Sequence, residues 1–81
     1  MRTLKPEIAM EYVNVTFPTS RYVYIDGEQG GRTNAVLRIE AGSHVFDLGN
    51  LANYAPESQE LVVQGTTVLS PQVVAFAKKA P

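Results

Sequence analysis

A chain of 81 residues with 44% hydrophobic and 19% charged residues has the size and balance of one small folded domain, and is too short for an elaborate enzyme. Seven basic residues against eight acidic ones give a formal net charge of −1, and the basic residues are scattered, which excludes the footprint of a nucleic-acid-binding protein. The absence of cysteine excludes disulfides, thiol catalysis and cysteine-ligated zinc.

Alternating apolar and polar residues predict a series of short strands, because this period places one face of a strand in a core and the other in water. The predicted strands are residues 11–17, 21–25, 35–40, 44–48, 60–64 and 72–77, with 66–69 as a possible seventh. No stretch carries a long helical period. We expect an all-β fold, a small antiparallel β-sandwich of six or seven strands, with a small barrel as the alternative.

Turn residues separate these strands. Asp26-Gly27 directly follows the second strand and predicts a hairpin, because both central residues of a tight primed turn need positive φ. Residues 41–43, which include Gly42, predict the next turn. Residues 49–58 contain glycine, asparagine, proline and serine, and they predict a loop with one helical turn near Leu51-Ala52.

The chain is predicted to be one domain over residues 11–77, after an N-terminal segment of residues 1–10 and before a tail or linker start at 78–81. No apolar run has the length of a membrane span, and the first residues lack the hydrophobic stretch of a signal peptide. We expect a cytoplasmic protein if Met1 is the native start. A domain excised from a longer exported protein would instead belong to the cell envelope or the exterior.

An ordered series of short motifs resembles the PEGA domain family over about residues 21–77. The motifs are Val23-Tyr-Ile-Asp-Gly27, Gly31-Arg-Thr33, Leu37-Arg-Ile39, Gly42-Ser-His44 and Tyr54-Ala-Pro56. Asn34 stands where the family usually has proline, and Glu40-Ala41 replaces the proline that commonly precedes the Gly-x-His turn. The resemblance implies a small β-sandwich, similar in shape to carboxypeptidase-regulatory and transthyretin-like domains, found as a non-enzymatic module in surface and envelope proteins.

The segment from Tyr24 to Asn34 is rich in glycine, but it does not have the features of a phosphate-binding loop. Such a loop lies between a strand and a helix, and its P-loop form ends in Gly-Lys followed by serine or threonine. This segment leads into a strand and contains no lysine. We therefore predict a hairpin turn followed by a surface loop, in which Asp26, Gly27 and Gly31 are structural turn residues.

His44 is the only histidine, and no catalytic or cofactor site is predicted around it. Ser43 and Asp47 are close in sequence, but neighbours along a strand point to opposite faces, which makes a Ser-His-Asp triad geometrically implausible. We expect the imidazole to hydrogen-bond loop backbone and hold its turn. A calcium site from Asp26, Glu28, Glu40 and Asp47 has no supporting spacing, so we expect no metal and no cofactor.

Tyrosines provide the candidate binding surface. Tyr12 is on the outward face of the first strand, and Tyr22 and Tyr24 are on the outward face of the second. If these strands pair as neighbours, three tyrosines share one solvent face, with Arg32 in the adjacent loop. Such rings stack on sugars or anchor protein partners, because they combine apolar area with a hydroxyl. The alternative is that they are cross-strand pairs, or that the N-terminal segment covers them.

Two functions remain open at this point. The first is a non-catalytic PEGA-like module that binds or spaces, recognising a protein or a cell-surface polysaccharide through the tyrosines and the loop that follows them. The second is a structural module that forms a homo-oligomer by pairing its C-terminal edge strand, residues 72–77, whose apolar residues a thin sandwich edge cannot hide on both faces.

Overall fold

The computed structural model describes residues 9–79, which form nine β-strands. The strands are β1 (Met10–Thr16), β2 (Tyr22–Ile25), β3 (Glu28–Arg32), β4 (Val36–Glu40), β5 (Gly42–Asp47), β6 (Tyr54–Ala55), β7 (Gln59–Val63), β8 (Gln72–Ala75) and β9 (Ala77–Lys78). Within this range no helix is long and apolar enough to cross a membrane. The all-β prediction is confirmed, and the strands form a small sandwich.

Two sheets make up the sandwich. The first has the order β4-β1-β8 and the second has the order β3-β2-β5-β7, while β6 and β9 form a separate two-stranded ribbon. All strand pairs are antiparallel except β1 and β8, which run parallel. The chain crosses from β7 in one sheet to β8 in the other. Ala41 alone connects β4 to β5, so the chain also changes sheets at this corner, where Gly42 has φ 123°.

The core lies between the inner faces of the two sheets and contains mostly the residues that alternation assigns inward. Val13, Val15 and Val74 come from the first sheet, and Val23 and Phe46 come from the second. The other buried apolar residues are Phe17, Ile39, Leu48, Tyr54, Val63 and Phe76. Because the inward residues alternate with outward ones, each strand presents a second row of side chains on the outer surface.

The Asp26-Gly27 hairpin is present, with φ of 54° and 84° at its two central residues. The prediction of a surface loop after this hairpin is wrong, because Glu28–Arg32 is strand β3. Gly31 is therefore a strand residue, beside an irregularity in the pairing of β2 with β3. A Cβ at Gly31 would come within 2.5 Å of the Leu37 side chain, so its small size serves packing and its φ of 150° suits glycine.

The loop at residues 49–58 and the chain after β7 also differ from the predictions. The predicted helical turn is absent: Leu51 has a left-handed φ of 65°, and β6 follows within the loop. Residues 66–69 form no strand, because Thr67 and Ser70 instead bond to each other's backbone around a tight turn. The predicted strand at 72–77 is interrupted at Phe76, after which β9 pairs with β6.

The predicted N-terminal segment and the predicted tail lie only partly within residues 9–79. Strand β1 begins at Met10, inside the predicted N-terminal segment, and residues 1–8 lie outside the described residues. Lys78 belongs to β9, so the predicted tail begins within a paired strand, and residues 80–81 are again outside the described range.

Adjacent valines of β7 provide a test of which face is buried. Val63 is fully buried, whereas Val62 is 61% exposed. We expect Val63→Ala to lower the free energy of unfolding by about 2 kcal/mol, because it removes two methyl groups and leaves a cavity. The matched change Val62→Ala should cost less than about 0.5 kcal/mol. Urea unfolding measures both, and equal losses would contradict the orientation of β7.

Candidate functional site

The structure places the surface tyrosines on two different sheets. Strand β1 lies between β4 and β8, whereas β2 lies between β3 and β5, so the two strands are not neighbours. Val13 and Val23 point into the core from opposite sides, and therefore Tyr12 and Tyr22 point to opposite outer surfaces. The predicted pairing of these strands is wrong, and no single face carries all three tyrosines. Tyr22 and Tyr24 remain together on the outer surface of the four-stranded sheet.

Arg32 and Tyr22 form an exposed pair on this surface. They are directly opposite each other in the pairing of β2 with β3, and the guanidinium carbon lies 4.5 Å from the centroid of the tyrosine ring. The Arg32 Nε–H donates to Ser20 Oγ at 2.9 Å, which orients the guanidinium over the ring. Tyr22 is nevertheless 48% exposed, so a planar aromatic and a cation are both available to a partner.

The Tyr24 ring is less exposed than that of Tyr22, because it packs against the loop after β5. It lies opposite Asp47 of β5, and a Cβ built on Gly49 would be 2.5 Å from the tyrosine Cε2, which shows that the ring lies against the Gly49 backbone. The Gly49 N–H donates to Asp47 Oδ1 at 2.8 Å. The loop after β5 therefore sets the position of this ring. We call Tyr22, Tyr24, Arg32 and Asp47 the tyrosine face.

Arg21 fixes the loop that supports the tyrosine face. Its guanidinium donates to Asn50 O at 2.7 Å, to Leu51 O at 3.1 Å and to Asn53 Oδ1 at 2.7 Å. It also donates to the carbonyl of Leu48, the first residue after β5, at 3.3 Å. Sequence reasoning missed this clamp, because these partners lie 27 to 32 residues along the chain and no local spacing reports them. The clamp also stabilises Leu51 in its left-handed conformation.

An aromatic cluster lies beneath the guanidinium of Arg21. Its carbon is 5.5 Å from the ring centroids of both Phe17 and Tyr54. The Tyr54 ring packs edge-on against Phe17 and Phe76, at centroid distances of 6.4 and 5.5 Å. Its hydroxyl donates to Gly49 O at 3.0 Å and accepts from the Leu48 N–H at 3.2 Å, which satisfies the buried polar group.

Thr33 and Asn34 join the two sheets below the tyrosine face. The buried Thr33 hydroxyl accepts from the Arg21 N–H at 2.9 Å and donates to Thr19 O at 3.0 Å. Asn34 has φ 64°, and its amide accepts from the Phe17 N–H and donates to Phe17 O. Proline cannot adopt this φ, whereas asparagine tolerates the left-handed region, so the local backbone accounts for asparagine at this position.

His44 lies between two turns at the opposite end of the sandwich. Its Nδ1 is 2.6 Å from Asp26 Oδ2, and its Nε2 is 2.7 Å from the backbone carbonyl of Glu40, the last residue of β4, so the backbone partner belongs to a strand and not to a loop. Asp26 also accepts from the Val45 N–H at 2.8 Å through its other oxygen. Since both ring nitrogens face acceptors, the imidazolium form satisfies both contacts. Asp26 is thus committed to the hairpin and to β5.

These contacts shift both pKa values in the directions expected for a charged pair. The hydrogen bond that the His44 ring donates to Asp26 raises the pKa of His44 above its ordinary value, although burial opposes the shift. The bond from the Val45 backbone, and then the bond from His44, lower the pKa of Asp26. Hydrogen bonds from the Thr66 side chain and backbone likewise lower the pKa of Glu11, which ties β1 to the turn after β7.

The acidic residues considered for calcium are dispersed. Asp26 is bound by His44, and Asp47 accepts from the loop after β5. Nowhere in residues 9–79 do three histidine, aspartate or glutamate side chains group closely enough to hold a metal ion. No cavity is found in the described part of the chain. The candidate binding surface is the outer side of the four-stranded sheet.

Strand β8 is the free edge of the three-stranded sheet, where edge pairing was predicted. Two side-chain amides already occupy outward carbonyls of this edge: Gln59 Nε2 donates to Ala75 O at 2.7 Å, and Gln72 Nε2 donates to Val73 O at 3.1 Å. An added strand would need these carbonyls as acceptors. The arrangement disfavours backbone pairing with another chain at this edge.

Comparison of the chain with protein-family models, with curated proteins and with solved structures gave no match.

The pairing of His44 with Asp26 predicts a pH-dependent stability. A histidine whose folded pKa is raised stabilises the fold below its ordinary pKa of about 6.5, and this contribution is lost as the pH rises through the folded value. Asp26, with its lowered pKa, contributes above about pH 3.9, and its contribution is lost as the pH falls through its folded value. The free energy of unfolding should therefore fall as the pH rises from about 6.5 through the raised pKa of His44, measured by urea unfolding across the pH range.

Asp26→Asn is the control for this prediction. It removes the charge beside His44, so the NMR-measured pKa of the single histidine should drop and the loss of stability above neutral pH should flatten. An unchanged histidine pKa in this variant would contradict the role of the pair.

The Arg21 clamp predicts a loss of stability centred on one loop. Arg21→Ala should lower the free energy of unfolding by about 2 kcal/mol, because it removes charged hydrogen bonds to three carbonyls and two ring contacts. Arg21→Lys should recover less than half of that, since an ammonium cannot reproduce the guanidinium fork. Amide hydrogen exchange should accelerate at residues 49–53. Arg32→Ala is the matched control, and a similar loss there would contradict a special role for Arg21.

Proposed function

We propose that this chain is a non-catalytic, PEGA-like binding module that holds an extended polymer, a cell-surface polysaccharide, across the tyrosine face. The observation that carries the proposal is the exposed Tyr22 ring with the Arg32 guanidinium fixed 4.5 Å from its centroid. A protein segment is the alternative occupant, because tyrosine and arginine also dominate the contacts of protein interfaces.

The chemistry of the face suits sugar rings. A sugar presents a C–H surface that packs on an aromatic plane, and hydroxyl groups that bond to charged donors and acceptors at its rim. The tyrosine face offers the ring of Tyr22, the donors of Arg32 and the carboxylate of Asp47 on neighbouring strands. These groups come from strands and from a clamped loop, so little conformational entropy is lost when they bind.

The shape of the face suits a long ligand. It is the outer side of a sheet, with strands spaced about 4.8 Å apart, and it is not a concave pocket. Small molecules bind tightly where they are enclosed, whereas an extended chain gains contacts along an open surface. The resemblance to the PEGA family favours the same class of function, a non-enzymatic module of surface and envelope proteins.

Tyr22 is the residue that tests the proposal most directly. Amide shifts in the NMR spectrum would be followed during titration with hexasaccharides of chitin, cellulose and polygalacturonate, which are N-acetylated, neutral and acidic probes respectively. We expect saturable shifts at residues 22–32 and 47 with one of these probes. Tyr22→Ala should then weaken its binding at least about tenfold, because it removes the stacking plane.

Tyr12→Ala is the matched control, since it makes the same change on the opposite outer surface. The affinity of the Tyr12→Ala variant for the same hexasaccharide should stay within about twofold of that of the unmodified chain. Shifts centred on β1, or an equal loss in both variants, would contradict the assignment of the face. A spectrum unchanged by all three probes would contradict the polysaccharide as the partner.

A further inference from the structure

Two edge strands of the sandwich, β4 and β7, have main-chain groups directed away from their sheets. Strand β4 is an edge of the three-stranded sheet, and β7 is an edge of the four-stranded sheet. Both pair with their neighbours in an unbroken register, whereas β3, the edge opposite β7, pairs through an irregularity. Glutamine amides occupy β8, the edge opposite β4. Within residues 9–79, β4 and β7 are therefore the regular sheet edges that no glutamine amide caps.

On β4, the main-chain groups of Val36 and Arg38 point outward at the edge. Bonded and non-bonded pairs alternate along an antiparallel ladder, and the Ala41 N–H donates to the chain just before β1 at 2.8 Å. Counted back from this bond along the register of β1 with β4, the groups of Val36, Arg38 and Glu40 point away from β1. The Glu40 carbonyl agrees with this direction, because His44 Nε2 lies 2.7 Å from it.

On β7, the same alternation directs the main-chain groups of Glu60 and Val62 outward. The Asp26 N–H donates to Val45 O at 2.8 Å, so the main-chain groups of Val45 face β2 and those of its neighbours face β7. Val45 is opposite Glu60, and Ser43 is opposite Val62, in the pairing of β5 with β7. The outward groups of β7 are therefore two residues apart, as they are on β4.

The side chains at these positions are complementary when the two edges run antiparallel. In one register, Arg38 of one copy is directly opposite Glu60 of another, and Val36 is opposite Val62. All four side chains lie on outer surfaces, since their neighbours along each strand pack towards the core. Val36 is 42% exposed and Val62 is 61% exposed, so both valines have apolar area to bury.

We propose that copies of this chain associate head to tail, with β4 of one copy paired antiparallel to β7 of the next. The Val36–Val62 and Arg38–Glu60 pairs each exchange two main-chain hydrogen bonds, and the arginine and the carboxylate form an ion pair beside the valine contact. Because β4 and β7 are different surfaces, each added copy presents a new β4 or β7 edge. The contact therefore does not close, and copies add in a row.

The charges favour the head-to-tail arrangement over pairing of like edges. Two β4 strands joined through the same outward groups set Arg38 opposite Val36, and two β7 strands set Glu60 opposite Val62. Neither arrangement gives the charges a partner. Within residues 9–79, Arg38 has no ion pair, and the hydrogen bond of Glu60 is to the Ser43 hydroxyl at 3.5 Å. Only β4 against β7 brings these two charges together.

The contact is short, and this limits its strength. It consists of two bonded pairs and the side chains beside them, well below the area of about 800 Å² that a standard interface buries on each partner. We therefore expect a dissociation constant of about 0.1–1 mM for each contact. Rows of this kind are populated when copies are concentrated locally.

Sedimentation equilibrium from about 20 µM to about 2 mM tests the association of the full chain. We expect the mean mass to pass that of a dimer without a plateau, and the NMR amide signals of residues 36–38 and 60–62 to shift with concentration. Val62→Pro removes an outward N–H that β5 does not use, so the fold should remain intact, as urea unfolding would show. This variant should weaken the association at least about tenfold.

Exchange of the two charges tests the register. Arg38→Glu and Glu60→Arg, both at exposed positions, should each weaken the association at least about tenfold, because like charges then face each other. The variant that carries both changes restores the pair in reverse and should associate within about threefold of the unmodified chain. Lys78→Glu is the matched control: it makes the same change of charge on the separate β6–β9 ribbon and should leave the mass curve unchanged.

Several outcomes would overturn the proposal. They are a monomer mass at every concentration, a curve that levels off at the mass of a dimer, and an association that Arg38→Glu leaves unaffected. A double variant as weak as the single variants, or equal weakening by Lys78→Glu, would also overturn it. None of these measurements involves a saccharide or the tyrosine face, so they are independent of the proposed function.

Discussion

The guanidinium of Arg21 is the contact on which one end of the sandwich depends. It lies against Phe17 and Tyr54, which close the core, and it holds the carbonyls of Asn50 and Leu51 in the loop after β5. A charge can do this because both terminal nitrogens of the guanidinium donate to oxygens and its carbon lies 5.5 Å from two aromatic ring centroids. The same loop backs the ring of Tyr24, so the shape of the proposed binding face follows from a residue that is not part of it.

The alternation of side chains predicted most inward positions but not which strands are neighbours. Val13 and Val15, and likewise Val23, are buried as their period requires. The pattern says nothing about pairing, because a buried strand looks the same beside any partner. Consecutive strands often pair, which made β1 and β2 reasonable neighbours, yet here the chain changes sheets between them. That single change divides the tyrosines between two outer surfaces.

Composition alone misled the interpretation of the glycine segment. Two adjacent glycines after a hairpin are typical of a loop, and the sequence offers no local reason to place them in a strand. The reason is tertiary: Gly30 lies against Ile25 and Gly31 against Leu37, where a Cβ has no room. Asn34 is a similar case, because its amide bonds to both backbone groups of Phe17, 17 residues earlier. The Arg21 clamp could not be predicted from the sequence for the same reason, because its contacts are also long-range.

The two ends of the sandwich make internal contacts, whereas its two outer faces present side chains to the solvent. The ends are occupied by internal contacts, with His44 and Asp26 joining turns at one end and Arg21 holding a loop at the other. The β8 edge is capped by glutamine amides, so main-chain pairing is disfavoured there. The outer surfaces of the two sheets point in opposite directions, and their side chains, with the tyrosine face on one of them, remain accessible.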